Sequence, residues 1–250
     1  PIIIIPALIS FLFVISQYKL IKMKFTNSLI KGKLIKRYKR FFVDVEVNNK
    51  LVTAHCPNTG SMLGLLEKGN DVWISKADDP KRKLKFTLEI IKSNQKLIGV
   101  NTHRANRIVE DGLKNKLLKE FRSIKDIKAE FKYSDDTRFD FLCDKFLIEV
   151  KNVTLNRKKD IAEFPDAITS RGSKHLKKLI ESIKQGYKPY VLFLVQIQNI
   201  SKFRIAKDID SDYYNNFIQA NKDGLKFIAY RCKLNSKEIF IEKKIQIIHD

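Results

Sequence analysis

Between residues 24 and 100 the apolar positions alternate in short runs. From Phe41 to Val47, Phe41, Val43, Val45 and Val47 fall on one side and Phe42, Asp44 and Glu46 on the other. This is the two-residue period of a strand with one covered face. Asn48-Asn49 reads as a turn, and Leu51 to His55 returns as its hairpin partner. Ser28 to Ile35, Val72 to Lys76, Phe86 to Lys92 and Lys96 to Val100 bring the total to five or six strands. So many short strands in so short a stretch predict a small β-barrel of the OB type.

From residue 101 the period lengthens. Ala105 to Phe121 predicts a helix, with Ile108, Val109, Leu113, Leu117, Leu118 and Phe121 along one face. A strand pair follows, then a helix from about Ser170 to Gln185 whose Leu176, Leu179, Ile180 and Ile183 stand at i, i+3, i+4 and i+7. Tyr190 to Ile197 is an uninterrupted apolar run, the mark of a central strand covered on both faces. Asp212 to Asp223 predicts a helix, and Lys226 to Cys232 and Glu238 to Ile245 two more strands. This alternation predicts an α/β domain over residues 101–250, behind a barrel domain over residues 23–100.

Residues 2–15 are almost wholly apolar but too short to span a bilayer as a helix. No basic residue precedes them and no small-residue cleavage site follows, which argues against a secretory signal. The expectation is that residues 1–22 are an upstream extension and that the working protein starts at Met23. A membrane anchor is the alternative.

The composition, 44% hydrophobic and 31% charged, is that of a globular protein. The net charge of +21 changes the picture, because it attracts phosphate polymers. A chain rich in Lys, Ile and Asn also acquires such charge from an AT-rich genome. Three scattered cysteines, Cys56, Cys143 and Cys232, form no CxxC pattern. They point to a reducing cytoplasm, not to a disulfide framework.

The segment Arg138-Phe139-Asp140-Phe141-Leu142-Cys143-Asp144-Lys145-Phe146-Leu147-Ile148-Glu149-Val150-Lys151 carries the candidate chemistry. Read as a hairpin, it turns Phe139, Phe141, Ile148 and Val150 to the core and gathers Asp140, Glu149 and Lys151 opposite. Adjacent carboxylates repel unless a cation joins them, and their hard oxygens suit Mg2+ or Mn2+. Such an ion polarises a phosphodiester and acidifies a bound water, with Lys151 placed to orient the water or neutralise developing charge. The D–x8–E–x–K spacing matches the PD-(D/E)XK nuclease pattern, with Phe139 where Pro is frequent. Two surface salt bridges are the alternative. Glu110, Asp111 and Glu120 are candidates for a third acidic ligand. Arg171, Lys174 and His175, in the first turn of a helix capped by Thr169 or Ser170, form a candidate phosphate seat. Arg138, at the head of the hairpin, joins this candidate nucleic-acid surface. In the barrel, Arg37, Tyr38, Lys39 and Arg40 are candidates for a strand-binding face, or for a charge-protected edge. The loop Cys56-Pro57-Asn58-Thr59-Gly60-Ser61-Met62 reads as a phosphate cradle or a structural corner.

From Met23 onward the chain resembles the sugar fermentation stimulation protein A (SfsA) family. The resemblance is carried by Arg37-Tyr38-Lys39-Arg40-Phe41, by His55 through Met62, by Val100-Asn101-Thr102 with Ala105-Asn106-Arg107, and by Arg138-Phe139-Asp140-Phe141. It extends through Ile148-Glu149-Val150-Lys151-Asn152-Val153-Thr154-Leu155 and Phe164-Pro165-Asp166-Ala167 with Thr169, Arg171-Gly172 and His175-Leu176. The resemblance implies an N-terminal OB-like domain, a C-terminal nuclease-type domain, DNA binding and a link to sugar metabolism genes. The expected function is DNA binding with regulatory or DNA-processing work around a divalent-metal site. An active Mg2+-dependent DNA nuclease and an RNA-binding or RNA-processing protein are the alternatives. No helix-turn-helix with a recognition helix is visible.

Overall fold

The computed structural model describes residues 23–249. The expectation for residues 1–22 falls outside that range. Among the described residues no helix is long and apolar enough to cross a membrane.

A two-residue strand, β1 (Met23–Lys24), precedes the barrel strands β2 (Ile30–Tyr38), β3 (Phe42–Val47), β4 (Lys50–His55), β5 (Asp71–Lys76), β6 (Phe86–Ser93) and β7 (Lys96–Gly99). The sheet runs β4-β3-β2-β5-β6-β7, and β4 closes it by pairing with β6 through Ala54↔Phe86 and His55↔Thr87. This is the expected OB-type barrel, a closed ring of five strands with β7 as an outer hairpin arm. Leu34, Val43, Val45, Ala54, Val72, Ile74 and Leu88 fill it. Asn48 and Asn49 both take positive φ, 49° and 60°, as a two-residue hairpin requires. Phe41 departs from the expected alternation. It lies just outside β3 and is 42% exposed, because the chain turns through Lys39 and Arg40 immediately before it.

The α/β domain contains α1 (Ala105–Lys114), β8 (Lys128–Lys132), β9 (Arg138–Cys143), β10 (Phe146–Val153), β11 (Leu155–Lys158) and β12 (Ile161–Phe164). After these come α2 (Ser170–Ile183), β13 (Lys188–Val195), β14 (Lys202–Ile205), α3 (Ser211–Lys222), β15 (Lys226–Leu234) and β16 (Glu238–Ile247). The sheet order is β11-β12-β14-β16-β15-β13-β10-β9-β8. At its centre β10, β13 and β15 run parallel, which explains the unbroken apolar run of β13. Leu176 and Leu179 of α2 and Phe217 of α3 pack with Val191 and Phe193 on one face. Ile108, Val109 and Leu113 of α1 pack with Leu192 and Leu194 on the other.

α1 is shorter than its apolar pattern. It stops at Lys114, and Lys116 takes a left-handed φ of 55°. Leu118 and Phe121 are still fully buried, reaching the core from a separate short 3-10 turn, Lys119–Phe121.

The two domains are joined by backbone. Gly99 N–H donates to the Gln196 carbonyl at 2.8 Å and Gln198 N–H to the Leu97 carbonyl at 3.0 Å. β1 pairs with β16, so the chain touches the α/β sheet before it enters the barrel at Ile30. β6 serves both cores, with Leu88 and Ile91 in one and Ile90 in the other.

Candidate metal centre and nucleic-acid interface

Hairpin β9–β10 turns at Asp144, whose φ is 52°, and is laddered through Phe146↔Cys143, Leu147↔Leu142 and Ile148↔Phe141. Beyond Ile148 the two strands part. Asp140 fills the opening: its Oδ2 accepts the Val150 N–H at 2.6 Å and its Oδ1 accepts from Asn106 Nδ2 at 2.8 Å. The side chain thus occupies the place of the missing ladder bond. The expected common face of Phe139 and Phe141 is corrected by this parting. Phe139 joins the core beneath α2, edge-on to His175, and Phe141 joins the core beneath α1.

Glu149 and Lys151 extend from the α2 side of β10, two residues apart. Glu149 is 5% exposed, and its Oε1 meets Lys151 Nζ at 2.6 Å and His175 Nδ1 at 2.7 Å. Burial alone would raise the Glu149 carboxyl; the Lys151 and His175 contacts outweigh it and hold the group below its ordinary value. Asp140 goes the other way. Burial, reinforced by the negative charge of Glu149, pushes its carboxyl up to about 6 despite the Val150 and Asn106 hydrogen bonds. The three sequence-selected residues therefore share one electrostatic environment.

The three candidates for a third acidic ligand sit in different surroundings. Glu120 is engaged elsewhere, accepting from the Tyr230 hydroxyl at 2.7 Å and pairing with Lys244 at 2.5 Å. Glu110 pairs with Lys114 on its own helix at 2.5 Å. Asp111 lies partly buried on α1 beside Arg107, its carboxyl raised by burial. What reaches Asp140 is Asn106, in the first turn of α1, which also donates to Glu130 Oε1 at 3.3 Å. Among the described residues no three His, Cys, Asp or Glu side chains gather as a ready ligand set. Tyr213 of α3 was also missed: its hydroxyl is buried without a hydrogen-bond partner, and burial together with the charge of Glu149 raises it. Asn106 left a signal as a polar residue in a helix's first turn; Glu130 and Tyr213 left none.

α2 begins as expected. Thr169 Oγ1 accepts the Gly172 N–H at 3.2 Å, and Asp210 Oδ2 accepts the Thr169 N–H at 2.7 Å. Arg171 and Lys174 are exposed there, as is Arg138 at the start of β9. His175 corrects the expected phosphate seat, because its Nδ1 is committed to Glu149 while Arg171 Nε lies 3.5 Å from its Nε2.

The barrel candidates divide. Arg37 is a clamp, donating to the carbonyls of Asn58 at 2.7 Å, Gly60 at 3.0 Å and Arg40 at 2.8 Å. Tyr38 donates to Asp44 at 3.2 Å and stacks on Phe42. Lys39 and Arg40 sit exposed in the β2–β3 turn. The Cys56–Met62 loop takes the corner role. Met62 N–H donates to the Asp166 carboxylate at 2.9 Å and Ser61 Oγ to the Asp166 backbone carbonyl at 2.5 Å, and a Cβ on Gly60 would come within 2.5 Å of that carboxylate.

A closed OB-type barrel fused to a mixed α/β domain, with paired carboxylates at a strand opening, defines the class of the molecule. Residues 35–100 match the model of the SfsA N-terminal OB domain, and residues 103–238 match that of the sugar fermentation stimulation protein RE domain. The chain belongs to the sugar fermentation stimulation protein family. It is 62% identical over 231 residues to a sugar fermentation stimulation protein homolog of Pelagibacter ubique (strain HTCC1062), covering 91% of this chain and 100% of the relative. A homolog of Maricaulis maris (strain MCS10) is 38% identical, covering 90% and 98%. The structure of Pyrococcus furiosus SfsA in complex with Ca2+ shares the fold, with a TM-score of 0.83 at 23% identity, covering 92% of this chain and 100% of that one.

Proposed function

We propose that this protein binds DNA and holds Mg2+ or Mn2+ at Asp140 and Glu149. The observation that carries the reading is the convergence of two carboxylates of opposite electrostatic fate. Glu149 is overcompensated by Lys151 and His175, while Asp140 is pushed up to about 6 by burial and its neighbour's charge. A cation between them relieves that repulsion, and hard oxygens are the donors such ions prefer. Beyond these two carboxylates, water and nucleic-acid phosphate would complete the coordination. The Ca2+ in the Pyrococcus furiosus SfsA structure supports an oxygen-seeking cation in kind. The net charge of +21, with exposed Lys39, Arg40, Arg138, Arg171 and Lys174, supports a phosphate-polymer partner.

The second reading is hydrolysis of DNA phosphodiesters. It is favoured by Lys151, whose ammonium stands 2.6 Å from Glu149. A bound divalent cation supplies an acidified water and a polarised phosphoryl group. His175 orients Glu149, Asn106 and the Val150 amide orient Asp140, and Lys151 brings positive charge to the phosphate. An RNA substrate is the further alternative. Free, buried Cys56, Cys143 and Cys232 support a reducing, cytoplasmic setting.

Calorimetric titration with MgCl2 and MnCl2 tests the metal reading: heat of binding in the wild type and none in Asp140→Ala is expected, and no heat in either defeats it. Supercoiled and single-stranded DNA, each with Mg2+ or Mn2+, test the second reading. Product formation that Lys151→Ala removes is expected; intact DNA throughout defeats hydrolysis while leaving binding to be scored by anisotropy against matched RNA. Duplex affinity is expected to fall with salt by a log–log slope of about −0.9 per neutralised phosphate.

A further inference from the structure

A cavity of about 530 Å3 opens where the barrel meets the first turn of α1, and neither Asp140, Glu149 nor Lys151 lines it. Its size and its place between domains are those of a small-ligand site. Glu89 forms the floor at 1% exposure, and its charge is fully answered within the protein. Arg104 grips it through Nε at 2.7 Å and Nη2 at 2.6 Å, Ser75 Oγ donates at 2.7 Å and Asn101 Nδ2 at 2.9 Å. Asp78, on the rim, accepts from Asn27 at 3.0 Å.

The cations on the walls are less committed. Arg82 gives one N–H to Thr87 Oγ1 at 3.1 Å, and Arg107 makes no ion pair among the described residues, its field reaching Asp111 one turn along α1. The rings of His55 and His103 stand 6.3 Å apart between the two domains. His55 is held below its ordinary value by burial and by the positive fields of Arg82 and His103. Basic groups thus crowd one concave space with more positive charge than its own acids answer.

We propose that this cavity binds a phosphate monoester, its dianion taken by Arg82 and Arg107 with the imidazoles of His55 and His103 beside it. Guanidinium forks match phosphate oxygens in pairs. A monoester brings the two negative charges that two uncommitted arginines can answer; a backbone diester brings one. The ester arrives either as a free phosphorylated small molecule or as the 5′-phosphate end of a nucleic-acid strand. None of Asp140, Glu149 and Lys151 reaches into it, and Asp140→Ala is expected to leave its binding unchanged.

Calorimetry on the full chain with inorganic phosphate, AMP and adenosine tests the free source. Anisotropy with short oligothymidylates carrying a 5′-phosphate or a 5′-hydroxyl tests the strand end. Two variants are compared, Arg82→Ala/Arg107→Ala, which removes the cations, and Ala77→Trp, which fills the space; a melting curve for each reports that it is folded. Binding of AMP but not adenosine, weakened about tenfold or more in a folded variant, supports the free source. A preference for the 5′-phosphate lost in the same variants supports the strand end. No binding of either probe overturns the proposal, as does binding that both variants retain. A 5′-hydroxyl strand that binds as tightly as the phosphorylated one excludes the strand end, since that contact is then to diesters, and leaves the proposal to stand or fall on AMP.

Discussion

Glu163 on β12 and Glu149 on β10 are both buried in the α/β domain, and each faces cationic side chains. Around Glu163 the cations are arginines. Arg157 meets Oε2 through Nε at 2.8 Å and Oε1 through Nη2 at 2.9 Å, and Arg204 meets Oε1 at 2.8 and 2.9 Å. Arg157 also holds Asp208, whose carboxyl that contact draws down to about 2. Every acid there has a rigid guanidinium of its own. Around Glu149 the partners are a lysine and a histidine, both on Oε1, and the neighbouring acid is raised instead of lowered. The first cluster is closed on itself. The second has a deficit of positive charge that something from outside can make good.

The largest expected effect lies in the closed cluster. Arg204→Met is expected to cost about 3 kcal/mol in a urea unfolding curve, because it strips a buried carboxylate of half its partners. A loss well below 1 kcal/mol would show that the cluster is not closed in the sense drawn above. Next is pH, in EDTA. Asp140 rises from 3.8 to about 6 on folding, so the stability it contributes is complete below pH 3.8 and drains away as pH climbs through 6. The full swing is at most about 3 kcal/mol at 1.36 kcal/mol per unit. Asp208 behaves oppositely, keeping its contribution until pH falls toward 2. Stability at pH 7.5 relative to pH 4 should therefore be higher in Asp140→Asn than in the wild type; no change in that difference would remove Asp140 from the account. The smallest effect sharpens the role of α2. Thr169→Ala removes the cap of the helix that brings His175 to Glu149, and is expected to cost about 1 kcal/mol of stability. If His175 positions Glu149, Mg2+ affinity weakens alongside; unchanged Mg2+ affinity would make the cap purely structural.

Much of this was legible beforehand. The barrel strands, the central apolar strand and the capped helix α2 follow from periods of 2 and 3.6, which survive any tertiary arrangement. The pattern failed at α1, where Leu117, Leu118 and Phe121 continued a helical face that the chain reaches by a left-handed Lys116 and a new turn. It also left out β11, β12 and β14, four residues each: β11 folds back on β12 as a short hairpin, while β12 and β14 take their other partners from far along the chain. Arg37 was chosen for its charge, but its guanidinium is spent on carbonyls of a loop more than twenty residues away, and no local rule shows that.

The sequence by itself determined where the candidate residues stand: Asp140 falls on one strand of a hairpin and Glu149 and Lys151 on the next. Only the tertiary structure decided what surrounds them. The parting of β9 from β10, the arrival of Asn106 from α1 and of His175 from α2, and the burial that drives the two carboxyls apart all depend on elements remote in sequence. Charge and period are local properties of a chain, while desolvation and contact exist only once distant segments have packed together.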